Sequence, residues 1–515
     1  MKFKWTKKIY FATAVILATA IVAPITAHAG RIKVDIDTSI EQDRNAGTDL
    51  YDSKCYYHNV LPLDIKISNG NDAGCLHDEK YSTSISLPEG TEITVNSDTT
   101  MKGIYVIWDS LVPAWDLKIG ESTYQYGQYG FLHEYIELPE ETDSFTIVIP
   151  NGQNDVERGN QNMRIADIIA FDTDDVPEWV QVWEPVCDEA DMLVFSTHAD
   201  DEHIFFGGIL PIYQVDRNYR IQYAYFTCYW NDPGQHIREH EKLNGLWLAG
   251  CKYYPIMGGF DDAYSTTYEG AAETIDENEA RLYLTRCIRR THPQVVVTQD
   301  LAGEYGHGQH IFMSYNAVEA ITLANDSEYD LDSVSQYGIW DTSKFYIHLY
   351  ENNQILLDMR TPLAGFNDKR PIDIARQAYL CHQSQQWCDF SVNDYGPYDA
   401  ALYGLYRTTV GEDVNGNDFM ENIVSYDEQA EARRLEEERI AKEEEEKKLA
   451  EQKALEEEQK KAEVENEPVT PSPRFTSEEK ILIAAVAVIS LMCVIAVSYI
   501  VFDKKKRKNR KRRRR

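Results

Sequence analysis

Two short apolar segments that end in metal-binding residues constrain the fold of this chain most strongly. Residues 192–197 are predicted to form a buried strand, and the sequence His-Ala-Asp-Asp-Glu follows at once at 198–202. Residues 294–299 form a second predicted strand, and the loop after it carries the sequence Gly-His-Gly-Gln-His at 306–310. Because the carboxyl ends of parallel strands lie at one edge of an α/β sheet, we expect both loops to build one shared site.

The residue types at these strand ends suit a catalytic zinc ion. Such a site uses three imidazole or carboxylate ligands and leaves a fourth position for a water whose pKa falls to about 7. His198, Asp201 and His310 provide such a set, which leaves Asp200 as a general base and His307 to stabilise a negative intermediate. Acidic pairs are also common at helix starts, and two histidines at helical spacing often lie on a solvated face or satisfy a local hydrogen bond. Each half alone therefore has an explanation without metal. Their joint occurrence at two strand ends favours the metal site.

Several motifs, in a fixed order, resemble the PIG-L (LmbE-like) family of zinc-dependent N-acetylglucosaminyl deacetylases over about residues 188–390. They are His198-Ala199-Asp200-Asp201-Glu202, Phe206-Gly207-Gly208, Arg238-x-x-Glu241, Pro293-Gln294-Val295-Val296-Val297-Thr298, Tyr305-Gly306-His307-x-x-His310 and His382-x-Ser384-Gln385. Ala199 replaces the family's proline, and Gly308-Gln309 replace its Pro-Asp pair. Neither departure removes a metal ligand or the base.

This resemblance implies a role for most residues around the site. The implied zinc ligands are His198, Asp201 and His310. The implied catalytic groups are Asp200 as the base, His307 as the group that polarises the carbonyl, and Tyr305 as a helper. The candidate substrate-binding residues are Arg238, at a position where the family contacts substrate, and Trp230 and Asp232 in the preceding loop. The implied reaction is hydrolysis of an acetamide on a sugar amine, with loss of acetate.

Residues 187–425 alternate between short apolar segments and longer amphipathic ones. We expect strands at 192–197, 221–227, 252–257, 294–299 and 344–350. We expect helices at about 203–216, 235–249, 273–290, 310–323 and 371–384. This order predicts an α/β fold with a Rossmann-like, mainly parallel sheet.

Residues 30–183 show an alternation of period two, broken by turn residues, that predicts a β-sandwich of the jelly-roll type. Residues from about 40 to 172 resemble discoidin or galactose-binding-like domains. A glycine-rich loop carries Tyr124, Tyr126, Tyr129 and Phe131, which either stack on sugar rings or pack the loop against the domain. Because the metal motifs lie elsewhere, we expect this domain to bind glycan and take no part in the chemistry.

Both ends of the chain carry patterns typical of targeting segments. Residues 1–29 have a basic start, an apolar run and a small-x-small end, which predicts a secretory signal peptide, with an uncleaved anchor as the alternative. Residues 481–502 are uncharged and long enough to form a transmembrane helix. The basic residues 503–515 then favour a cytoplasmic carboxyl terminus. We therefore expect a single-pass cell-membrane protein whose catalytic domain is extracellular.

A charged segment connects the catalytic domain to this apolar run. Residues 427–467 consist almost wholly of Glu, Lys, Arg, Ala and Gln, and their i,i+4 charge pairs favour a solvated single helix over a coiled coil. Residues 468–480 form a proline-containing linker. Together they are predicted to form a stalk.

Composition limits the partners. A formal net charge of −34 argues against nucleic acid. Cys55 with Cys75, and Cys381 with Cys388, are the nearest candidates for disulfides.

The function that we expect is zinc-dependent deacetylation of N-acetylglucosamine-type glycans at the cell surface. The alternatives are a non-catalytic glycan-binding surface protein and a zinc amidase that acts on a non-sugar amide.

Overall fold

The computed structural model describes residues 60–512, apart from positions 79, 81, 113, 151–162, 231, 233–234, 389 and 466–475. The predicted signal peptide at 1–29, Cys55 and most of the predicted linker at 468–480 therefore lie outside the described residues. The chain divides into two compact units, Met1–Glu431 and Ala432–Arg515.

Among the described residues, the strands are β1 Asp64–Ile67, β2 Ile85–Leu87, β3 Glu92–Trp108, β4 Trp115–Ile119, β5 Ser122–Tyr126, β6 His133–Val148, β7 Met163–Phe171, β8 Met192–Ser196, β9 Ile221–Tyr225, β10 Thr227–Cys228, β11 Phe260–Asp261, β12 Val295–Thr298, β13 Lys344–His348, β14 Gln354–Leu356 and β15 Leu402–Thr408. The α-helices are α1 Asp201–Ile204, α2 Ile237–Leu248, α3 Tyr268–Ala272, α4 Glu277–Thr291, α5 Gly308–Leu323, α6 Leu331–Tyr337, α7 Pro371–Tyr379, α8 Tyr426–Glu465 and α9 Ser477–Arg512.

The second half of the first unit is built on a mainly parallel sheet. Its described strands lie in the order β14-β15-β13-β12-β8-β9, where β9, β8, β12 and β13 are parallel and β15 and β14 are antiparallel. Alternate residues of β8 face two different cores, since Val194 belongs to one apolar cluster and Phe195 to another. A strand buried on both faces needs a helical layer on each side. The predicted α/β fold is therefore observed.

Two predicted elements of this half are wrong, for local reasons. The strand expected at 252–257 is replaced by isolated bridges at Tyr253 and Ile256, because Pro255 cannot donate to a ladder. The helix expected at 203–216 is broken into α1 and a wide helical turn at Leu210–Asp216. At Gly207, between the two, a Cβ atom would lie 2.5 Å from the Cβ of Ala375, so this close contact with α7 requires glycine.

The amino-terminal half of the first unit is antiparallel. Hydrogen bonds join the described strands β1 to β7 into one sheet of order β2-β7-β3-β6-β4-β5, with β1 on β3. The predicted β-sandwich, with two separate sheets, is not confirmed. The long strands β3 and β6 change register near Asn96 and Met101, so each contributes to two parts of the same sheet. The alternation of period two could not show by itself that β3, a strand of 17 residues, would belong to both parts of the sheet.

The aromatic loop of this half is divided between packing and exposure. Phe131 is buried, and its ring centroid lies 4.7 Å from that of Tyr254 in the α/β half. Tyr129 stacks on Phe131 at 5.4 Å and remains 55% exposed. Part of the loop therefore packs against the neighbouring half, and Tyr129 remains accessible.

The charged segment forms the helix α8, whose apolar side chains are about half exposed, as with Leu435 at 53% and Ile440 at 46%. Ion pairs of i,i+4 spacing, such as Arg434–Glu438 at 2.8 Å, lie along it. The helix α9 covers the apolar run predicted to span a membrane. In the part of the chain that the structure describes, no helix meets the length and apolarity that a membrane crossing requires, so the predicted transmembrane helix at 481–502 is not confirmed.

The predicted disulfide between Cys381 and Cys388 is not observed in the structure, and Cys75 likewise forms no disulfide with a described residue. Cys388 instead lies in a turn in which its backbone N–H donates to the carbonyl of Gln385.

Candidate metal centre

Two neighbouring parallel strands deliver the candidate site to one edge of the sheet. Strand β8 pairs in parallel with β12, with Val194 opposite Val297. The loop after β8 carries residues 198–200 and leads to Asp201 at the start of α1, and the loop after β12 leads to residues 304–310 at the start of α5. The two loops expected to meet are therefore adjacent.

Three donor atoms converge at this edge. Nδ1 of His198 lies 3.0 Å from Nε2 of His310, and each of these nitrogens lies 3.2 Å from Oδ2 of Asp201. Donors around a tetrahedral zinc ion at its usual bond lengths are separated by roughly 3.3 Å. The structure thus brings the three predicted ligands together with a spacing that suits zinc.

Hydrogen bonds on the far side of each ring direct a lone pair towards the same point. Nε2 of His198 lies 2.9 Å from Oε1 of Gln309, whose Nε2 donates to the Asp261 carbonyl. Nδ1 of His310 lies 2.7 Å from Oε2 of Glu304. Each histidine therefore donates its proton away from the centre, as metal-bound histidines do.

Electrostatics also favour a cation at this point. Burial would lower the pKa of His310, but the charges of Asp201 and Glu304 and hydrogen bonds to both raise it to about 10. The same position would suit a divalent cation, which places positive charge beside the two carboxylates. The residues present therefore fit the zinc ion that the sequence predicts.

Asp200 lies beside the ligands in a strained conformation. Its φ angle is 120°, and its backbone N–H donates to Oε2 of Glu202 at 2.7 Å. Burial and the neighbouring Asp201 raise the pKa of Asp200 to about 7, although Arg238 opposes the shift. A carboxylate with a pKa near neutrality is suited to accept and return a proton.

His307 and Tyr305 complete the wall of the site. The ring of His307 lies 4.6 Å from that of His198, and its Nδ1 accepts a hydrogen bond from the Gln309 N–H, which leaves the proton on Nε2. Burial lowers the pKa of His307 to about 2, so its ring is neutral. Burial raises the pKa of Tyr305, which keeps its hydroxyl protonated. Both residues are therefore neutral hydrogen-bond donors.

His307 is also close enough to compete as a ligand. One of its nitrogens lies within 4.8 Å of donor atoms of His198 and His310. Asp201 is the better third ligand because its oxygen is only 3.2 Å from both histidine nitrogens and because Nδ1 of His307 is already occupied.

The predicted substrate residues have different positions. Arg238 is buried and donates to the Ala199 carbonyl at 2.7 Å and to Asp262 at 3.1 Å, with Asp200 Oδ1 3.5 Å away. It therefore supports Asp200 from within the protein. Trp230 is half-buried against the main core, and the exposed Asp232 accepts a hydrogen bond from Gln235. In the described part of the chain, neither Trp230 nor Asp232 touches the metal-binding atoms.

The sequence interpretation missed four residues of this site. Asp262 lies 3.5 Å from Nε2 of His198 and forms an ion pair with Arg238. Glu304 links His310 to His348, whose Nδ1 is 2.6 Å from its carboxylate. Gln309 orients His198. Gln309 stands within the quoted motif Tyr305-Gly306-His307-x-x-His310 and Glu304 directly before it, but no local pattern marks Asp262 or His348.

A second buried cluster lies behind Asp200. Nε2 of His382 is 2.6 Å from Oε1 of Glu202, and Nε2 of His203 is 3.3 Å from the same oxygen. Because the other oxygen of Glu202 accepts the Asp200 N–H, this cluster holds the strained backbone of Asp200 in place.

Comparison with known proteins agrees with this geometry. Residues 193–321 match the family model described as PIG-L: GlcNAc-PI de-N-acetylase. The 1D-myo-inositol 2-acetamido-2-deoxy-alpha-D-glucopyranoside deacetylase of Streptomyces scabiei (strain 87.22) is 39% identical over 181 residues, which are 30% of this chain and 54% of the relative. The corresponding deacetylase 1 of Catenulispora acidiphila is 25% identical over 182 residues, with the same two coverages of 30% and 54%.

A solved structure is also similar. It is the N,N'-diacetylchitobiose deacetylase from Pyrococcus horikoshii, with a TM-score of 0.30 and 17% identity over 39% of this chain and 72% of that chain. The chain spans about half the length of the curated relatives it matches. Residues 193–321, which carry every predicted metal ligand and the predicted base, are a PIG-L family domain.

Proposed function

We propose that this protein is a zinc-dependent N-deacetylase that hydrolyses the acetamide of an N-acetylated amino sugar. The observation that carries the proposal is the convergence of His198, Asp201 and His310 at 3.0–3.2 Å beside a carboxylate that is not itself a ligand. The names of the curated relatives, which are deacetylases of a 2-acetamido-2-deoxy-glucopyranoside, support the substrate class.

The residues of the site have complementary roles in this reaction. Zinc held by His198, Asp201 and His310 would supply Lewis-acid activation. Asp200 accepts a proton from the attacking water and returns it to the nitrogen of the leaving amine. Nε2–H of His307 and the Tyr305 hydroxyl donate to the carbonyl oxygen as it becomes negative. Acetate and a free sugar amine leave the site.

The alternatives make different demands on the site. A non-catalytic glycan-binding protein needs the fold but has no need of Asp200, whose strained backbone is held by Glu202. A strained residue of this kind is typical of an active site. An amidase that acts on a non-sugar amide would use the same four residues, and only its substrate would differ.

Acetate release by residues 30–480 from a panel of N-acetylated sugars and non-sugar amides tests the proposal. We expect release from amino sugars, and Asp200→Asn to retain zinc while losing about 100-fold or more in kcat. His198→Ala and His310→Ala should lose zinc. Asp216→Asn, at an exposed aspartate, is the matched control and should change neither quantity.

Two results would contradict the proposal. Full activity of zinc-loaded Asp200→Asn would remove the base from the mechanism. Release from non-sugar amides alone would replace the substrate class.

We also propose that the enzyme acts on cell-surface or extracellular glycans, with residues 427–480 as a stalk and a membrane anchor at 481–502. The sequence patterns at the two ends are the support for this location. Protease added to intact cells should release a soluble fragment cut within the stalk. A tag after Arg515 that is accessible in unbroken cells would overturn this topology.

A further inference from the structure

A cluster of aromatic rings extends from the metal centre to the protein surface. The ring of Tyr305 lies 5.5 Å from that of His310 and 4.7 Å from that of Phe390. Tyr398 lies 6.2 Å from Tyr305 and 6.5 Å from Phe390. Tyr305 is 38% exposed, so the cluster begins at the site and reaches solvent.

The segment that supplies Phe390 and Tyr398 also exposes two further large rings. Trp387 is 73% exposed and Tyr395 is 63% exposed. Each of these rings stands three residues before a ring of the cluster, Trp387 before Phe390 and Tyr395 before Tyr398. Large aromatic rings near an active site contribute contact area to a ligand at low entropic cost. In the loop after β11, Tyr264 is 74% exposed and meets the His307 ring edge-on at 5.2 Å.

This segment is held firmly against the catalytic half. Arg360 donates two hydrogen bonds to Asp394, at 2.5 and 2.7 Å. Arg376 donates to the Val392 carbonyl at 3.0 Å. Nε2 of His348 lies 3.0 Å from the Asp399 carbonyl. The exposed rings are therefore presented on an anchored frame.

We propose that Trp387, Phe390, Tyr395 and Tyr398, together with Tyr305 and Tyr264, form a subsite that stacks against a second pyranose ring. The subsite rests on the proposed function, since the first ring carries the acetamide at the metal centre. The substrate is then an oligosaccharide or glycoconjugate with at least one sugar beyond the N-acetylated unit.

A sugar suits this surface better than a lipid chain. Tyr264, Tyr305, Tyr395 and Tyr398 each join an apolar ring to a hydroxyl, which matches the apolar face and polar rim of a pyranose.

Binding to the zinc-loaded Asp200→Asn protein tests the subsite independently of turnover. Calorimetry would compare N-acetylglucosamine with its β-1,4-linked disaccharide. We expect the disaccharide to bind at least tenfold more tightly, and a Trp387→Ala/Tyr395→Ser double variant to lose about tenfold of that preference. Tyr315→Ala, at a ring 49% exposed on α5, is the matched control and should keep the preference.

The outcomes separate this inference from the proposed function. Equal binding of both sugars, or an unchanged preference in the double variant, overturns the subsite even if the wild-type enzyme releases acetate. A preference that the double variant loses supports the subsite even if no acetate is released, and the proposed function then fails alone. If an octyl glycoside of N-acetylglucosamine gained as much affinity as the disaccharide, the subsite would be assigned to a lipid-like group and not to a sugar. Thermal unfolding of the double variant should match that of the parent protein, because both side chains are exposed.

Discussion

At the scale of single residues, Glu304 controls the orientation of the candidate ligand His310. Its two carboxylate oxygens lie 2.7 Å from Nδ1 of His310 and 2.6 Å from Nδ1 of His348. Burial would raise the pKa of Glu304, but hydrogen bonds from these histidines lower it to about 2, so the group is ionised. An ionised carboxylate makes the imidazole a stronger metal donor.

We therefore predict that Glu304→Gln lowers zinc affinity by about 10–100-fold. The amide can still accept a hydrogen bond but carries no charge, so the donor strength of His310 falls. Competition with a chromophoric chelator measures the affinity. Glu319→Gln, at an exposed position on α5, is the control. Equal affinity in the two variants would show that Glu304 does not support the ligand.

At the scale of elements, α5 carries His310 near its amino end and is closed by one arginine at its carboxyl end. Arg289 on α4 is fully buried and donates to the carbonyls of Leu323 at 2.9 Å and Ala324 at 3.1 Å. It also donates to the carbonyls of Asp326 and Tyr329, at 2.6 and 2.7 Å. These are carbonyls at the end of α5 and in the loop after it, which lack partners within the helix.

We predict that Arg289→Met lowers the free energy of unfolding by about 3 kcal/mol, because it removes the hydrogen bonds that the buried guanidinium donates to the end of α5 and to the loop after it. Urea unfolding followed by circular dichroism measures the change. Arg290→Met, at the partly exposed neighbouring position, should lower the free energy of unfolding much less. If the two variants were equally stable, the arginine would not be closing the helix.

At the scale of the whole molecule, the two halves of the first unit share a buried polar interface. Nε2 of His133 lies 2.9 Å from Nδ1 of His240 on α2, and the backbone N–H of Leu132 donates to the Tyr254 hydroxyl at 3.0 Å. Asp109 is also buried, 3.5 Å from Nε2 of His240. Since α2 also carries Arg238, the antiparallel half supports the helix that positions Asp200.

Asp109 should make this interface sensitive to acid. Burial would raise the pKa of Asp109, but hydrogen bonds from His240 and Ser84 and the charges of His240 and His236 lower it to about 2. An unfolded aspartate has a pKa of about 3.9, so the native carboxylate stabilises the fold above that pH. This contribution is lost as the pH falls from about 4 to about 2.

We predict that Asp109→Asn is about 2 kcal/mol less stable than the parent protein at pH 7, and that the difference shrinks below about pH 4. The midpoints of urea unfolding at several pH values measure this difference in stability. Asp172→Asn, at an exposed aspartate, is the control. A difference that stayed constant down to pH 2 would mean that Asp109 acts through its shape and not through its charge.

The same interface predicts the result of truncation. Removing residues 60–183 exposes His240 and Tyr254, so we expect residues 184–431 to unfold at a lower temperature than residues 60–431. Calorimetry of both proteins is the test. Equal midpoints, or two separate transitions in the longer protein, would show that the halves are independent. The sequence had indicated an independent glycan-binding domain, and its sugar binding stays a prediction.

The sequence by itself determined the elements whose signals are local. Strands β8 and β12 are apolar runs with polar ends, and because they are parallel neighbours, their loops had to place His198, Asp201 and His310 at one edge. The charged composition likewise predicted the helix α8.

Only the tertiary structure decided which distant groups support this site. Asp262 reaches His198, and His348 reaches Glu304, from segments more than 40 residues away. The long strands β3 and β6 join the described antiparallel strands into one sheet, and Asp109 lies against His240 of α2. Side-chain periodicity reports which face of an element is buried, whereas the packing of whole elements selects the partner that each buried polar group meets.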